Sequence, residues 1–413
     1  MAQEASAPRR SMAIRFAFIL GALSAFGPLS IDMYLPALPA MAHEFGAGAS
    51  AVQLTLSACV LGLGAGQLLA GPLSDTLGRR LPLLVGLAGY TVFSLGCAVS
   101  TSVGMLIGFR LLQAFGGAAG LVIARAVVRD LYSGRALARF FSALMLVNGV
   151  APVAAPIFGG QLLRFTSWRG VFITLTVIGV ALLIACLLAL PETLPPQRRA
   201  PGKLRAVCQT YRRLLADREF LGYVLAGGFA FAAMFAYISG SSFVLQNRFG
   251  LSPQLFSVVF GVNSVGIVAL GQLNGLLLRH FEPRKLLAWG LSIALCAALA
   301  LLAAGVLALS LFALLIPLFF VVSSIGLIAP NTTALALAEY PRSAGAASAL
   351  LGVGQFLIGG LAAPLVGIGN GASAVPMVLV IAASSTTAML LFLALRPSVR
   401  RAGNRTAARA AAR

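Results

Sequence analysis

The chain alternates between long apolar stretches and short polar ones. Apolar runs span about 16–38, 51–73, 81–101, 104–124, 140–162 and 169–190, then 220–246, 253–278, 286–307, 311–337, 345–369 and 374–395. Each is about 20 residues long, enough to cross a ~30 Å hydrocarbon core at 1.5 Å rise per residue. A segment in lipid has to satisfy its own backbone hydrogen bonds, so runs of this length are predicted as α-helices. Twelve membrane-spanning helices follow, numbered 1 to 12 in chain order. The polar stretch after the sixth run holds Pro191, Pro195, Pro196, Pro201 and seven basic residues, and reads as a linker. The predicted fold is therefore all-α and integral to the membrane, with two six-helix bundles at 16–190 and 220–395. A linker over 191–219, an N-terminal segment over 1–15 and a basic tail over 396–413 complete the chain.

Composition agrees with a chain that lives in lipid. Hydrophobic residues make up 59% and charged residues 10%, whereas soluble domains carry about 25% charge. A net charge of +20 would suggest nucleic acid in a soluble protein, but here the basic residues sit between the apolar runs. With the N-terminus inside, 26 of the 30 lysines and arginines fall in inner segments and three (Arg164, Arg169, Arg248) in outer ones, leaving Arg110 within a helix. That asymmetry places both termini in the cytoplasm, and explains the charge without nucleic acid. The tail, which has no acid, is expected near anionic headgroups. Arg9, Arg10 and Arg15 before the first run also fit a signal peptide. However, the stretch from Phe16 to Pro36 exceeds a 7–15 residue signal core and contains Asp32, so it reads as a retained helix.

Asp32 is the one acid set well inside an apolar run. A charge at membrane depth costs roughly 2.5–3.5 kcal/mol, and such residues pair or serve a pathway. Asp32 lies about 25 Å along the helix from Arg15, in the outer half of the membrane. Arg110, early in helix 4, which runs inward, lies at the same level. Gln113, Asn148, Asn263, Gln355, Tyr34, Phe235 and Tyr237 are candidate cavity-lining residues, with helix–helix hydrogen bonding as the alternative for each. Neither His43 nor His280 has a partner at metal-ligand spacing. No Gly-x-x-x-x-Gly-Lys-Ser/Thr loop occurs, so no nucleotide or other cofactor is expected.

Three motifs carry a family resemblance. Gly71-Pro72-Leu73-Ser74-Asp75-Thr76-Leu77-Gly78-Arg79-Arg80 resembles the loop 2–3 signature of the major facilitator superfamily, with Thr76 in place of the usual basic residue. Leu106 to Gln113, with Arg110 inside the membrane, resembles its helix 4 signature. Ala151 to Gly160 resembles the helix 5 antiporter signature. It keeps Pro156, Gly159 and Gly160, with Ala151 and Ala155 at two customary glycines. Asp32-Met33-Tyr34-Leu35-Pro36-Ala37-Leu38-Pro39 narrows this to the bicyclomycin- and chloramphenicol-resistance group of drug:proton antiporters. Val128-Arg129-Asp130-Leu131-Tyr132 and Pro191-Glu192-Thr193 are similar to that group too.

The resemblance implies a monomeric, multi-pass exporter of small hydrophobic drugs in a bacterial inner membrane, driven by the proton gradient. On it, Asp32 and Arg110 are expected to face each other across a central cavity, with Asp32 taking up the proton; a fixed structural ion pair is the alternative. Asp75 and Asp130, beside Arg79, Arg80, Arg125 and Arg129, are expected to clamp the inner helix ends in the outward-facing state, with Gly71 and Gly78 permitting close approach and a tight turn. Export of a native metabolite is the alternative within transport. An intramembrane enzyme is disfavoured, because no embedded histidine or nucleophile–base set is present.

Overall fold

The computed structural model describes residues 10–132, 134–199, 204–340, 343–368 and 373–394. The expected N-terminal segment lies partly, and the tail over 396–413 wholly, outside these residues. Eleven helices are long and apolar enough to cross a membrane, and the apolar part of a twelfth is Leu146–Leu162. The spans are Phe16–Glu44, Ala49–Leu77, Arg80–Ala98, Val103–Leu131, helix 5 over Gly134–Leu162, Trp168–Ala189, Arg218–Arg248, Pro253–Leu277, Pro283–Val306, Leu311–Leu337, helix 11 over Ala344–Val366 and Val375–Ala394.

Within the first half, helix 4 packs closely on helices 2 and 3 because small residues meet there. A Cβ on Gly66 would strike the Phe115 carbonyl, and one on Gly116 would strike helix 3 at Gly86 and Tyr90. Removing side chains lets backbones approach where no hydrophobic effect drives association. The linker holds an amphipathic helix, Leu204–Ala216, whose Leu214 is buried against Phe220 and Tyr223 of helix 7.

Three spans depart from a regular helix, one of them helix 10, which is interrupted at Ser324 between Leu311–Ser323 and Ile325–Leu337. Helix 1 stops at Asp32, passes through Met33 and Tyr34, forms one 3₁₀ turn over Leu35–Ala37 and resumes at Leu38–Glu44. Pro36 stands four residues after Asp32 and Pro39 four after Leu35, so neither carbonyl finds its α-helical N–H donor. Helix 7 ends in a π-helical turn, Val244–Arg248. The irregular segments of helices 1 and 7 meet at the outer face.

Among the described residues, the hydrogen bonds between the halves lie at the outer and middle levels. Seven side-chain-to-backbone hydrogen bonds cross between them among the described residues. Ser242 Oγ donates to the Leu35 carbonyl (2.7 Å) and Gln246 Nε2 to the Pro36 carbonyl (3.1 Å). Ser50 Oγ donates to Pro364 and Gln53 Nε2 to Ser239, both at 2.9 Å. Gln254 Nε2 donates to Gly160 at 2.8 Å. The seal is neutral throughout, and the inner ends of the halves carry no such bond among the described residues.

Candidate functional site

A cavity of about 500 Å³ lies between the halves. It reaches from Asp32 to Arg125, Thr333 and Ser348, which stand near the inner ends of helices 4, 10 and 11. With the outer face sealed, the chamber opens inward. Its wall is mostly aromatic and aliphatic. Phe231 stacks on Phe235 (centroids 5.8 Å) and meets Phe356 edge-on at the same distance. Polar groups are few and dispersed: Gln67, Asn148, Ser264 and Gln355 among them.

Asp32 lies on this wall and is only 6% exposed. Its position at the end of the helical segment Phe26–Asp32 follows from the proline break beyond it. Among the described residues its carboxylate has no hydrogen-bond partner, and the four described ion pairs do not include it.

Arg110 does not face Asp32 across the cavity. It is fully buried, outside the chamber lining, and engaged elsewhere. Nη1 donates to Gln113 Oε1 (2.6 Å) and Nη2 to the Ser30 carbonyl (2.8 Å). The guanidinium also lies 4.4 Å from the Tyr34 ring centroid and 5.5 Å from that of Phe172. The Ser30 carbonyl is available because helix 1 breaks before Tyr34 can close its α-helical bond. Arg110 thus compensates its charge with dipoles and ring faces, and braces the segment that carries Asp32.

The aromatic and amide candidates divide in two. Asn148, Phe235, Tyr237 and Gln355 line the cavity, and Tyr237 receives a hydrogen bond from Asn263 Nδ2 at 2.9 Å. Tyr34, Gln113 and Asn263 do not line it, which corrects the expectation for all three. Tyr34 is buried against Phe172 with its hydroxyl 3.0 Å from Thr55. Gln113 donates to Ser94 while accepting from Arg110. These side chains satisfy one another inside the helix packing. Gln67, Phe260 and Phe356 also line the chamber and were not among the cavity candidates, and Arg125, expected beside the inner-end acids, lines it too; periodicity does not say which helix face meets the other half.

The inner network is centred on Arg79. Its Nη1 pairs with Asp75 (2.5 Å) and its Nε with Asp130 (2.9 Å). Nη1 also donates to Ser74 Oγ (2.9 Å), and Thr193 Oγ1 donates to Asp130 at 3.2 Å. Glu192 completes it by accepting from the N–H groups of Arg79 (2.8 Å) and Arg80 (3.2 Å), at the N-terminus of helix 3 where a negative charge is favoured. Burial raises the Glu192 carboxyl, but the N–H groups of Leu194, Arg79 and Arg80 and the charge of Arg199 outweigh it and hold the group below its ordinary 4.5. Gly78 has φ +93°, and a side chain there would collide with Glu192. Gly71 faces Val122 across an ordinary contact distance of 3.8 Å.

This network lies wholly within the first half, tying helices 2, 3, 4 and the segment after helix 6 together while the outer face is shut. It is therefore not a clamp between halves in this state. Arg80 donates to the Leu187 carbonyl instead of to an acid, and Arg129 is exposed and joins no described ion pair. Glu192 was legible only as part of the Pro-Glu-Thr triplet; its capping role needed the fold.

In helix 5, a Cβ on Gly159 would overlap the Met33 carbonyl of the break in helix 1, and one on Gly160 would meet Ser257 of helix 8. Pro156 lies one turn inward within the same helix. The pair of glycines therefore sits where the break beside Asp32 meets the outer seal.

Comparison with known proteins extends this description. Residues 18–364 match the Major Facilitator Superfamily. An uncharacterized MFS-type transporter of Bacillus subtilis is 41% identical over 388 residues, covering 92% of this chain and 95% of that protein. A bicyclomycin resistance protein homolog of Haemophilus influenzae is 30% identical, covering 91% and 95%. A chloramphenicol resistance protein of Pseudomonas aeruginosa is 31% identical, covering 83% and 80%. Among solved structures, an inward-facing, occupied bacterial homolog of the lysosomal transporter Spinster superposes with TM-score 0.73 at 18% identity, over 94% of this chain and 97% of that one. At that identity the likeness bears on the fold alone.

Proposed function

Because the chain belongs to the major facilitator superfamily, we propose that it exports small hydrophobic, drug-like molecules in exchange for protons. It is a multi-pass transporter of the bacterial inner membrane and not an enzyme. The observation that carries the proposal is Asp32, an unpartnered carboxyl on the wall of an apolar, aromatic chamber. Such a group can exist neutral when protonated and charged when a substrate or water reaches it. Proton release can therefore be linked to substrate entry.

The cycle follows from alternating access between the two halves. With the outer seal closed, a substrate enters from the cytoplasm and packs on Phe231, Phe235 and Phe356, and the Asp32 proton leaves inward. Breaking the seal turns the chamber outward, where the substrate departs and Asp32 is reprotonated. Arg110 acts as a positioning residue through the Ser30 carbonyl and keeps the helix 1 break in place. One charge moving through 100 mV is worth about 2.3 kcal/mol, which sustains a gradient of roughly 50-fold. The proton gradient is thus sufficient, with no cofactor. One chain supplies the whole chamber, so a monomer can carry out the cycle. Relatives named for bicyclomycin and chloramphenicol resistance support small antibiotics as the substrate class.

The test is drug-induced proton release from purified protein, across an antibiotic panel, on wild type and Asp32→Asn. Release by the wild type alone is the expected result. Equal release by the variant would remove Asp32 from the proposal, and silence from a folded wild type across the panel would remove drug export.

A further inference from the structure

The chamber carries a second charge that proton coupling does not use. Among the described residues, two charged side chains line it: Asp32 deep in the wall and Arg125 toward the inner mouth. Arg125 stands six residues before the end of helix 4, or about 9 Å along the axis. It is exposed, and among the described residues it has neither a hydrogen-bond nor an ion-pair partner. The inner-face acids of its own half are already committed. Asp75 and Asp130 bind Arg79, while Glu192 binds the N–H groups of helix 3 and pairs with Arg199. Arg129, one turn further on and also exposed, adds charge of the same sign.

An unneutralised guanidinium beside an aromatic chamber has a specific chemical meaning. Its planar donors match a carboxylate or sulfonate in a way that no amide on this wall can, and its field repels a cation at the entrance. Resting on the exporter reading, we propose that Arg125 is an anion-recognition residue and that the chamber takes aromatic monoanions in preference to organic cations. The ring system packs on Phe231, Phe235 and Phe356, and the anionic end meets Arg125. Energetics favour this class. Outward movement of a monoanion against inward movement of one proton transfers two charges, so each 100 mV contributes about 50-fold twice over. A monocation exchanged for one proton moves no net charge and gains nothing from the potential.

An arginine that merely anchors helix 4 at the inner membrane surface would impart no charge preference to binding. The experiment uses the full-length protein in nanodiscs of uncharged lipid at low ionic strength. Binding is measured for naphthylacetate, naphthylacetamide and naphthylmethylammonium, which share one ring system and differ in charge. Wild type should bind the anion about tenfold more tightly than the cation, the scale expected for one nearby charge at intermediate dielectric. Arg125→Gln should bring the two within about twofold of each other and leave the neutral amide unchanged, and Arg125→Lys should keep part of the preference. Equal or tighter binding of the cation by wild type overturns the proposal, as does an undiminished anion preference in Arg125→Gln. Failure of all three probes to bind also overturns it. Antibiotic-induced proton release from the same preparation then shows whether the exporter reading stands without it.

Discussion

The outer seal offers the most quantitative test. Ser242 and Gln246, on the last turns of helix 7, donate to the Leu35 and Pro36 carbonyls at the break in helix 1. Replacing them with Ala and Leu removes two bonds between the halves, while the Gln246–Ser242 bond is internal to helix 7 and contributes nothing to closure. A net hydrogen bond is worth about 1 kcal/mol. The pair should therefore shift the balance between outer-closed and outer-open states by ~2 kcal/mol, or about 30-fold. Phe165 and Leu309 are exposed on outer loops of opposite halves, and spin labels there, in a background without the five native cysteines, report the opening. Double electron–electron resonance should show a longer-distance population growing in Ser242→Ala/Gln246→Leu by about that factor. A change below threefold would refute the reasoning, because it would mean that water replaces these bonds at no cost.

Two further outcomes follow from the local geometry. Gly159→Ala places a methyl group on the Met33 carbonyl, so helix 5 and the break in helix 1 must separate. Drug-coupled proton release should fall at least tenfold, with a smaller loss in Gly160→Ala, whose neighbour is a serine side chain able to turn aside. The Glu192 carboxyl is held below its ordinary 4.5, so its contribution to the inner network is fully present above that value and is lost as pH falls through the lower folded value. Protection of the Arg79, Arg80 and Leu194 amides against hydrogen exchange, taken relative to the intrinsic rate at each pH, should therefore fall below pH 4.5, and Glu192→Gln should show the lower protection at neutral pH as well.

The relation between chain and structure is uneven. Twelve spans and their orientation were readable because lipid thickness and the positive-inside bias act on segments one at a time. Even so, the straight first helix implied by the pattern is broken, although Pro36 and Pro39 announce the break to a reader asking which carbonyls lose their donors. Thr76 and Arg129 show the opposite limit: each is part of a motif or its flank, yet in this state the Arg79 network closes through Ser74, Thr193 and Glu192.

Asp32 was identifiable as the buried acid from sequence alone, since no other carboxyl falls well within an apolar run. Its relation to Arg110 was not. The two share a membrane level, but level says nothing about azimuth. A guanidinium can be satisfied by a carbonyl, an amide and two rings as well as by a carboxylate. The same limit explains Tyr34 and Gln113, which have the right depth and face the wrong neighbours. Arg125 was grouped with the inner-end arginines beside Asp75 and Asp130, because nothing in the sequence distinguishes an arginine on the chamber wall from one at an ordinary inner helix end. Segment length, charge bias and proline position are properties of the chain, and they determined which parts cross the membrane and where helix 1 breaks. Which side chains share a chamber, which charges remain unpaired and which face is sealed depend on how two six-helix bundles rotate and press together, and only the tertiary structure decided them.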